Sequence, residues 1–351
     1  MGHATYAPGA LPVKVGENTP MRTPISHRLC TAPMMDWSDR HCRYFFRSLA
    51  PHAMVYSEMI TTGALIHGDV PRHLDFDPAE HPVALQLGGS ERDVLTHCAK
   101  LGERWGYDEI NLNCGCPSER VQRGAFGVCL MAEPELVADC VRAMQDTVSI
   151  PVTVKHRLGI DHIEDYEFVR RFVETLAAAG CRTFIVHARN AVLKRLSPKD
   201  NREIPPLRYT EVYRLKQEFP ELEIVVNGGI TTKEQIDAHL AQVDGAMLGR
   251  AAYHDPFLLA LVHRELFGGP VPSRAEIVRR MHRYGAEHVS CGTPLRAIAR
   301  HMLGLYQGQP RARRWRQMLS DAAQLARNDP ELLFEALDAV EAPDGVQAAA
   351  A

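Results

Sequence analysis

Short apolar runs that alternate with helix-like segments constrain the fold of this chain more than any other feature. Eight runs rich in Val, Ile and Leu lie at 29–35, 54–59, 82–88, 109–115, 151–157, 183–188, 223–229 and 245–250. Segments with the apolar spacing of a helix separate most of them. Strands that alternate with helices form parallel sheets, and eight such units within roughly 230 residues fit a (β/α)8 TIM barrel.

The positions of the glycines distinguish this barrel from an open, doubly wound sheet. A doubly wound fold usually has a glycine-rich turn after its first strand, but "APMMDW" (32–37) contains no glycine. Glycines instead follow the seventh and eighth runs, in "NGG" (227–229) and "LGR" (248–250). Because TIM barrels place a phosphate site at these two strand ends, we predict a TIM barrel.

The pattern changes after residue 270, where strand-like runs stop. Four segments at 275–290, 295–309, 311–327 and 330–341 have helical spacing of apolar residues. We therefore predict that the TIM barrel spans 25–268 and that a small all-α helical domain spans 271–343. A flexible N-terminal tail (1–24) and a frayed C-terminal tail (344–351) complete the predicted organisation.

Cysteine content and charge indicate the class of protein. The nine cysteines are scattered, without C-x-x-C spacing or a secretion signal, which favours reduced thiols in the cytoplasm and no metal site. The sequence has no membrane-length apolar run. The net charge is only −3, but 288–320 contains no acid and six arginines, which predicts a basic surface suited to a phosphate backbone.

Polar residues and glycines at the predicted strand ends are the candidate site. They are Pro33, Met34, Met35, Gln86, Asn113, Lys155, His187, Asn227, Gly228, Gly229, Gly249 and Arg250. The glycines and Arg250 suit a phosphate, and a ring that reaches the barrel centre from there describes flavin mononucleotide, FMN. Gln86, Lys155 and His187 would then face the polar edge of the flavin, with Lys155 stabilising negative charge on the reduced ring.

The stretch "NLNCGCP" (111–117) places two cysteines one residue apart, Cys114 and Cys116. A disulfide between them would be strained, and a metal would need further ligands at matched spacing. A thiol has an unperturbed pKa near ~8.5, so it is mostly protonated at neutral pH and can act as a general acid. We therefore interpret this stretch as the source of an acid beside the flavin.

Several longer motifs resemble those of one family. "DWSDRHCRYFFR" (36–47), "NLNCGCPSERVQRGAFGVCLM" (111–131), "PVTVKHRLGID" (151–161), "SPKDNREIPPL" (197–207) and "VVNGGI" (225–230) are similar to motifs of the flavin-dependent tRNA-dihydrouridine synthases, A type. The resemblance spans about 29–320. It implies FMN, NADPH as reductant, tRNA as partner, and reduction of uridine to 5,6-dihydrouridine at D-loop positions 20 and 20a.

The resemblance also implies roles for individual residues. The FMN contacts fall on the strand-end residues named above other than Asn113, which would touch the uracil. Hydride passes from FMN N5 to C6, and Cys116 gives a proton to C5. The family usually has an apolar residue at position 114, so we expect the Cys114 thiol to be inert and buried. Cys129 is a rival acid from the sequence alone, although a core position is the favoured interpretation.

The tRNA contacts predicted here are basic residues of the helical domain and of one barrel loop. They are Arg296, Arg300, Arg313, Arg316, Lys199 and Arg202. No membrane or protein partner is implied. Two other functions stay open: an FMN barrel that acts on free pyrimidines, and a non-catalytic RNA-binding protein or tRNA chaperone. The first has no use for the arginine-rich segment, and the second predicts a colourless protein.

Overall fold

A closed barrel of eight parallel strands forms the body of the protein. The computed structural model describes residues 25–341 except 119–123, 125, 194 and 195. The predicted tails at 1–24 and 344–351, and residues 342–343 of the predicted helical domain, lie outside the described residues. Each strand pairs with its neighbours in chain order, and β1 pairs with β8. The strands are β1 (Leu29–Thr31), β2 (Met54–Thr61), β3 (Val83–Gly88), β4 (Glu109–Cys114), β5 (Val152–His156), β6 (Thr183–His187), β7 (Glu223–Asn227) and β8 (Gly245–Leu248).

The predicted TIM barrel is therefore confirmed, and the strand bounds differ most at the first strand. The prediction extended it to residue 35, but β1 ends at Thr31. Pro33 has no N–H to donate to a ladder. The backbone N–H of Met34 instead donates to the Ser38 hydroxyl at 2.8 Å, and the Ser38 N–H donates to the Met34 carbonyl at 2.9 Å. This turn carries the chain away from the sheet.

Helices surround the barrel. They are α1 (Arg40–Leu49), α2 (Thr62–His67), α3 (Val70–Leu74), α4 (Arg92–Trp105), α5 (Pro134–Gln145), α6 (Tyr166–Ala178), α7 (Tyr209–Glu218), α8 (Lys233–Leu240), α9 (Arg250–His254) and α10 (Phe257–Phe267). Short 3-10 helices lie at Pro78–Glu80, Gly127–Ala132 and Asp200–Arg202. Within the described residues, no helix has the combined length and apolar character that a membrane crossing requires.

The barrel interior is divided into an apolar and a polar part. The apolar part is a buried cluster of Cys30, Ala32, Met54, Tyr56, Ala84, Ile185, Val225 and Met247. The polar part comes mainly from β3, β4 and β5, and it contains Gln86, Glu109, Asn111, Asn113 and Thr153, all buried. Side chains of a strand alternate between its two faces, so Glu109, Asn111 and Asn113 share the interior face of β4.

The chain after the barrel is all helical, as predicted. It forms α11 (Arg274–Ser290), α12 (Leu295–Ala299), a 3-10 turn (Arg300–Met302), α13 (Ala312–Ser320), α14 (Ala322–Ala326) and α15 (Leu332–Glu341). Two predicted segments are interrupted. The segment 295–309 is α-helical only to Ala299, and 311–327 breaks at Asp321, whose carboxylate accepts from the Gln324 N–H at 2.9 Å and caps α14.

The C-terminal helices pack on α1 through aromatic and charged contacts. The rings of Tyr44 and Tyr284 stack with centroids 3.9 Å apart. Asp39, the N-cap of α1, accepts hydrogen bonds from Arg300 at 2.6 Å and from His301 at 3.0 Å. Because α1 follows β1, its N-terminus lies at the end of the barrel where the strands terminate, and the Asp39 contacts fix the helical segment beside that end.

We predict that Asp39→Asn lowers the free energy of unfolding by about 1–3 kcal/mol at pH 7, measured by urea denaturation. Asparagine caps helices as well as aspartate, so the change removes the charge and preserves the cap. The control is Asp165→Asn at the exposed N-cap of α6, where no cationic side chain is bound among the described residues and little change is expected.

The same comparison has a defined pH dependence. Burial alone would raise the pKa of Asp39, but the hydrogen bonds from His301, Cys42 and Arg300 hold it well below its usual range. A depressed carboxyl pKa stabilises the fold above the unfolded pKa of about 4, and this contribution is lost as the pH falls. The difference between wild type and Asp39→Asn should shrink from pH 7 to pH 3, and a constant difference would contradict the assignment.

Candidate active site

The parallel strands end at one mouth of the barrel, where the predicted site residues lie. Gln86, Asn113 and Asn227 are buried there, and Pro33 and Met34 are half-buried. Met35 is the exception, because its side chain is 56% exposed. The mouth therefore brings together residues from the ends of β1, β3, β4 and β7.

Lys155 is a half-buried cation at the end of β5. Its Nζ donates to the Asn227 Oδ1 at 3.0 Å, and the Asn227 Nδ2 donates to the Met247 carbonyl at 2.8 Å. Burial, together with the positive charge of Arg157, lowers the pKa of Lys155 to about 7. Within the described residues, no carboxylate forms an ion pair with Lys155, so an anion bound there would stabilise its charged form.

Arg157 is a second cation of the mouth; it is buried, and the sequence analysis did not select it as a site residue. Its Nε donates to the Gly115 carbonyl at 3.0 Å. Its Nη1 donates to the carbonyls of Asn190 and Asn201 at 2.9 and 3.0 Å. Burial lowers its pKa to about 10. One guanidinium thus joins the loop after β4 to the loop after β6.

His187 lies against the glycine turn that follows β7. Burial and the nearby cations, Arg157 first among them, lower its pKa well below the usual value, so the imidazole is neutral. Gly228 has φ +110°, and a Cβ at that position would lie 2.6 Å from the His187 ring. Only glycine permits this close approach without strain. The Tyr209 hydroxyl, which sequence reasoning missed, donates to the Gly228 carbonyl at 2.6 Å.

Cys116 lies in the loop that follows β4, directly beside these cations. Its backbone N–H donates to the Asn113 Oδ1 at 3.0 Å, and its Sγ lies 3.5 Å from the Ser118 hydroxyl. Burial lowers the pKa values of Lys155, Arg157 and Arg202, and a negative charge on Cys116 would raise them. The loop therefore presents a half-buried thiol to three cations.

The other two thiols of this region have different surroundings. Cys114 is fully buried in the core outside the barrel wall, and burial raises its pKa well above the usual value. Cys129 is half-buried in the 3-10 helix Gly127–Ala132, and the Val128 N–H donates to the Cys116 carbonyl at 3.1 Å. The segment that carries Cys129 is thus hydrogen-bonded to Cys116.

The donor groups of the mouth fit an anionic ligand with a polar-edged ring. Lys155 and Arg157 have no carboxylate partner in the described part of the chain, and the Nε of Arg189 is buried without a hydrogen bond. Arg250 forms an ion pair with Glu203, so its guanidinium is already engaged. Gly228 and Gly229 both have positive φ, which lets the backbone turn towards the mouth. These features are compatible with FMN, which combines a phosphate with a ring of hydrogen-bonding groups.

Five of the six predicted tRNA contacts form no ion pair with any described residue, and Arg300 is the exception. Lys199, Arg202, Arg296 and Arg313 are exposed and form no ion pair with any described residue. Arg316 is exposed and donates to the Gln307 Oε1 at 3.2 Å. Arg300 is different, because Asp39 accepts its hydrogen bond at 2.6 Å. A phosphate would have to compete with that carboxylate for Arg300.

Comparison with known proteins gives a consistent result. Residues 30–341 match the family described as dihydrouridine synthase. A tRNA-dihydrouridine(20/20a) synthase of Synechocystis sp. is 58% identical over 317 residues, which cover 90% of this chain and 95% of the relative. Proteins of the same name from Pseudomonas aeruginosa and Shigella flexneri are 53% and 54% identical over 316 and 318 residues, each over 90% of this chain and 95% and 94% of the relative.

Proposed function

The chain belongs to the dihydrouridine synthase family, and from this premise we propose that it reduces uridine to 5,6-dihydrouridine in the D-loop of tRNA, at positions 20 and 20a. The observation that carries the proposal is the half-buried Cys116 thiol beside the cations Lys155 and Arg157 at the barrel mouth. The substrate implies a cytoplasmic enzyme, because tRNA is modified and used there.

The cofactor proposed for the mouth is FMN. Its contacts would come from Gln86, Lys155, His187 and the loops after β7 and β8. When bound and reduced by NADPH, FMN would supply a hydride to C6 of the uracil. Lys155 is suited to hold negative charge at the polar edge of the ring, because its pKa of about 7 rises when an anion lies beside it.

The chain's own chemistry is a proton transfer to the base. Hydride addition at C6 leaves an electron pair at C5, delocalised towards O4. The Cys116 S–H gives its proton to C5, so the C5–C6 double bond becomes a single bond and the sulfur becomes a thiolate. The positive charges of Lys155, Arg157 and Arg202 stabilise that thiolate. The target base must leave its stack to reach the thiol, which costs a few kcal/mol and less in a loop.

The D-loop proposal is tested by mapping dihydrouridine by position in unmodified tRNA incubated with the purified protein and NADPH. New dihydrouridine at 20 and 20a is expected. Dihydrouridine at other positions would support the proposed activity but contradict the assignment to positions 20 and 20a. A yellow protein that oxidises NADPH, leaves tRNA unchanged and acts on free uracil or dihydroorotate would favour the free-pyrimidine function. A colourless protein that binds tRNA would favour a chaperone.

The general-acid role predicts that Cys116→Ala retains bound flavin and NADPH oxidation but loses dihydrouridine formation by about 10²–10⁴-fold. The matched controls are Cys129→Ala, which removes the rival thiol, and Cys114→Ala, which removes the buried one. Both should form product at rates close to wild type. Product at the wild-type rate from Cys116→Ala, or its loss in Cys129→Ala alone, would assign the acid elsewhere.

The RNA-binding role of the helical segment predicts that Arg313→Glu combined with Arg316→Glu weakens tRNA binding and flattens its salt dependence. Each phosphate contact that is lost should reduce the slope of log K against log salt by about 1. The control reverses the charge of two exposed arginines of barrel helices, Arg142 and Arg171, which form ion pairs with acidic side chains. Equal effects of the two double variants, measured by filter binding over a salt series, would exclude the 313–316 surface as the binding site.

A further inference from the structure

We propose that Glu109, acting through Thr153, fixes the orientation of the Asn113 amide at the barrel mouth. The two residues lie deep in the barrel, at the opposite end of the polar interior from Cys116. We assign them as positioning residues that act through a chain of buried hydrogen bonds. Their effect on catalysis rests on the role proposed above for Cys116, whereas their effect on the backbone does not.

The deep end of this chain of hydrogen bonds is the Glu109 carboxylate, which can only accept hydrogen bonds. Glu109 accepts from the His27 Nε2 at 2.6 Å, the Tyr56 hydroxyl at 3.0 Å and the Thr153 hydroxyl at 2.6 Å. The other ring nitrogen of His27 donates to Glu223 at 2.8 Å. Burial alone would lower the pKa of His27, but the two carboxylates raise it to about 10, so both ring nitrogens carry hydrogens.

The hydroxyl of Thr153 has one hydrogen, and it donates this hydrogen in its hydrogen bond to Glu109. The Thr153 oxygen must therefore accept from the next group, which is the Asn111 Nδ2 at 2.8 Å. The Asn111 Oδ1 accepts from the Gln86 Nε2 at 2.7 Å. The Gln86 Oε1 accepts from the Asn113 Nδ2 at 2.8 Å. In each of the three amides, the nitrogen therefore points along the hydrogen-bond chain towards Glu109 and the oxygen points towards the mouth.

The mouth end of the chain requires the same orientation. The Asn113 Oδ1 accepts from the backbone N–H groups of Gly115 and Cys116 at 3.1 and 3.0 Å. A backbone N–H can only donate, so it demands an oxygen just as the carboxylate demands a donor. Rotating any one amide by 180° would place donor against donor and acceptor against acceptor.

Burial makes this chain selective for one arrangement. Glu109, Asn111, Gln86 and Thr153 are at most 1% exposed, so water cannot repair a mismatched pair. Glu109 and Asn113 are four residues apart on β4, about 13 Å at the rise of a strand. The carboxylate therefore acts on the Cys116 loop over a distance too long for direct contact.

The test uses Thr153→Val, which removes the hydroxyl from the chain with little change in shape. Thr153→Ser restores the hydroxyl and serves as the rescue. The control is Thr183→Val on the adjacent strand, because the Thr183 hydroxyl also donates to a carboxylate, the half-buried Glu223, at 2.9 Å, but leads to no amide. If the valine at 153 prevents folding, Thr153→Ala removes the same hydroxyl with less steric demand.

Two quantities are measured on the full chain: hydrogen exchange of the peptide that contains Gly115 and Cys116, and dihydrouridine formation with tRNA and NADPH. Thr153→Val should increase the exchange rate of that peptide about tenfold and lower turnover about 10- to 100-fold, as small displacements of a reacting group do. Thr153→Ser and Thr183→Val should stay close to wild type in both.

The exchange measurement separates this inference from the proposed function. Equal exchange in Thr153→Val and Thr183→Val would overturn the positioning role, whatever the activities. Faster exchange in Thr153→Val alone, with turnover unchanged, would support the orienting chain and contradict its effect on catalysis. Failure of the wild-type protein to modify tRNA would contradict the proposed function and leave the exchange result to decide on the chain.

Discussion

The cost of burying charge without water organises the interior of this barrel. The Glu109 carboxylate is completely buried, and it is compatible with that position only because a protonated His27 and two hydroxyl groups donate to it. The polar part of the interior is built outward from this group towards the mouth. The apolar part, around Met54, Ile185 and Val225, needs no such pairing and fills the rest of the barrel.

The mouth shows the opposite electrostatic condition. The half-buried Lys155 and the buried Arg157 are cations without a carboxylate partner in the described part of the chain, so no protein anion neutralises their charge. Such a site gains stability when an anion enters it. The neutral His187 beside Gly228 adds a hydrogen-bonding group without adding to the positive charge. At the deep end of the interior the protein itself pairs the buried charge, whereas at the mouth a bound anion would provide the opposite charge.

The barrel was predictable from the sequence because strands buried on both faces consist of nearly continuous apolar runs. The alternation of Glu109, Asn111 and Asn113 within β4 was also visible and could have identified the polar interior. The break at Asp321 had a local signal, since "SDAAQ" (320–324) contains a capping residue followed by Gln324. The pairing of Arg300 with Asp39, 261 residues away in the chain, had no local signal and depends on how the helices pack on α1.

The contacts of Arg157 have a mechanical consequence. The Arg157 guanidinium donates to the carbonyls of Gly115, Asn190 and Asn201. The segment that carries Cys116 and the segment that carries Lys199 and Arg202 are therefore hydrogen-bonded to the same side chain. Neither segment can shift without straining the same guanidinium. A displacement of the segment that carries Lys199 and Arg202 would therefore also disturb the hydrogen bond to the Gly115 carbonyl, next to Cys116.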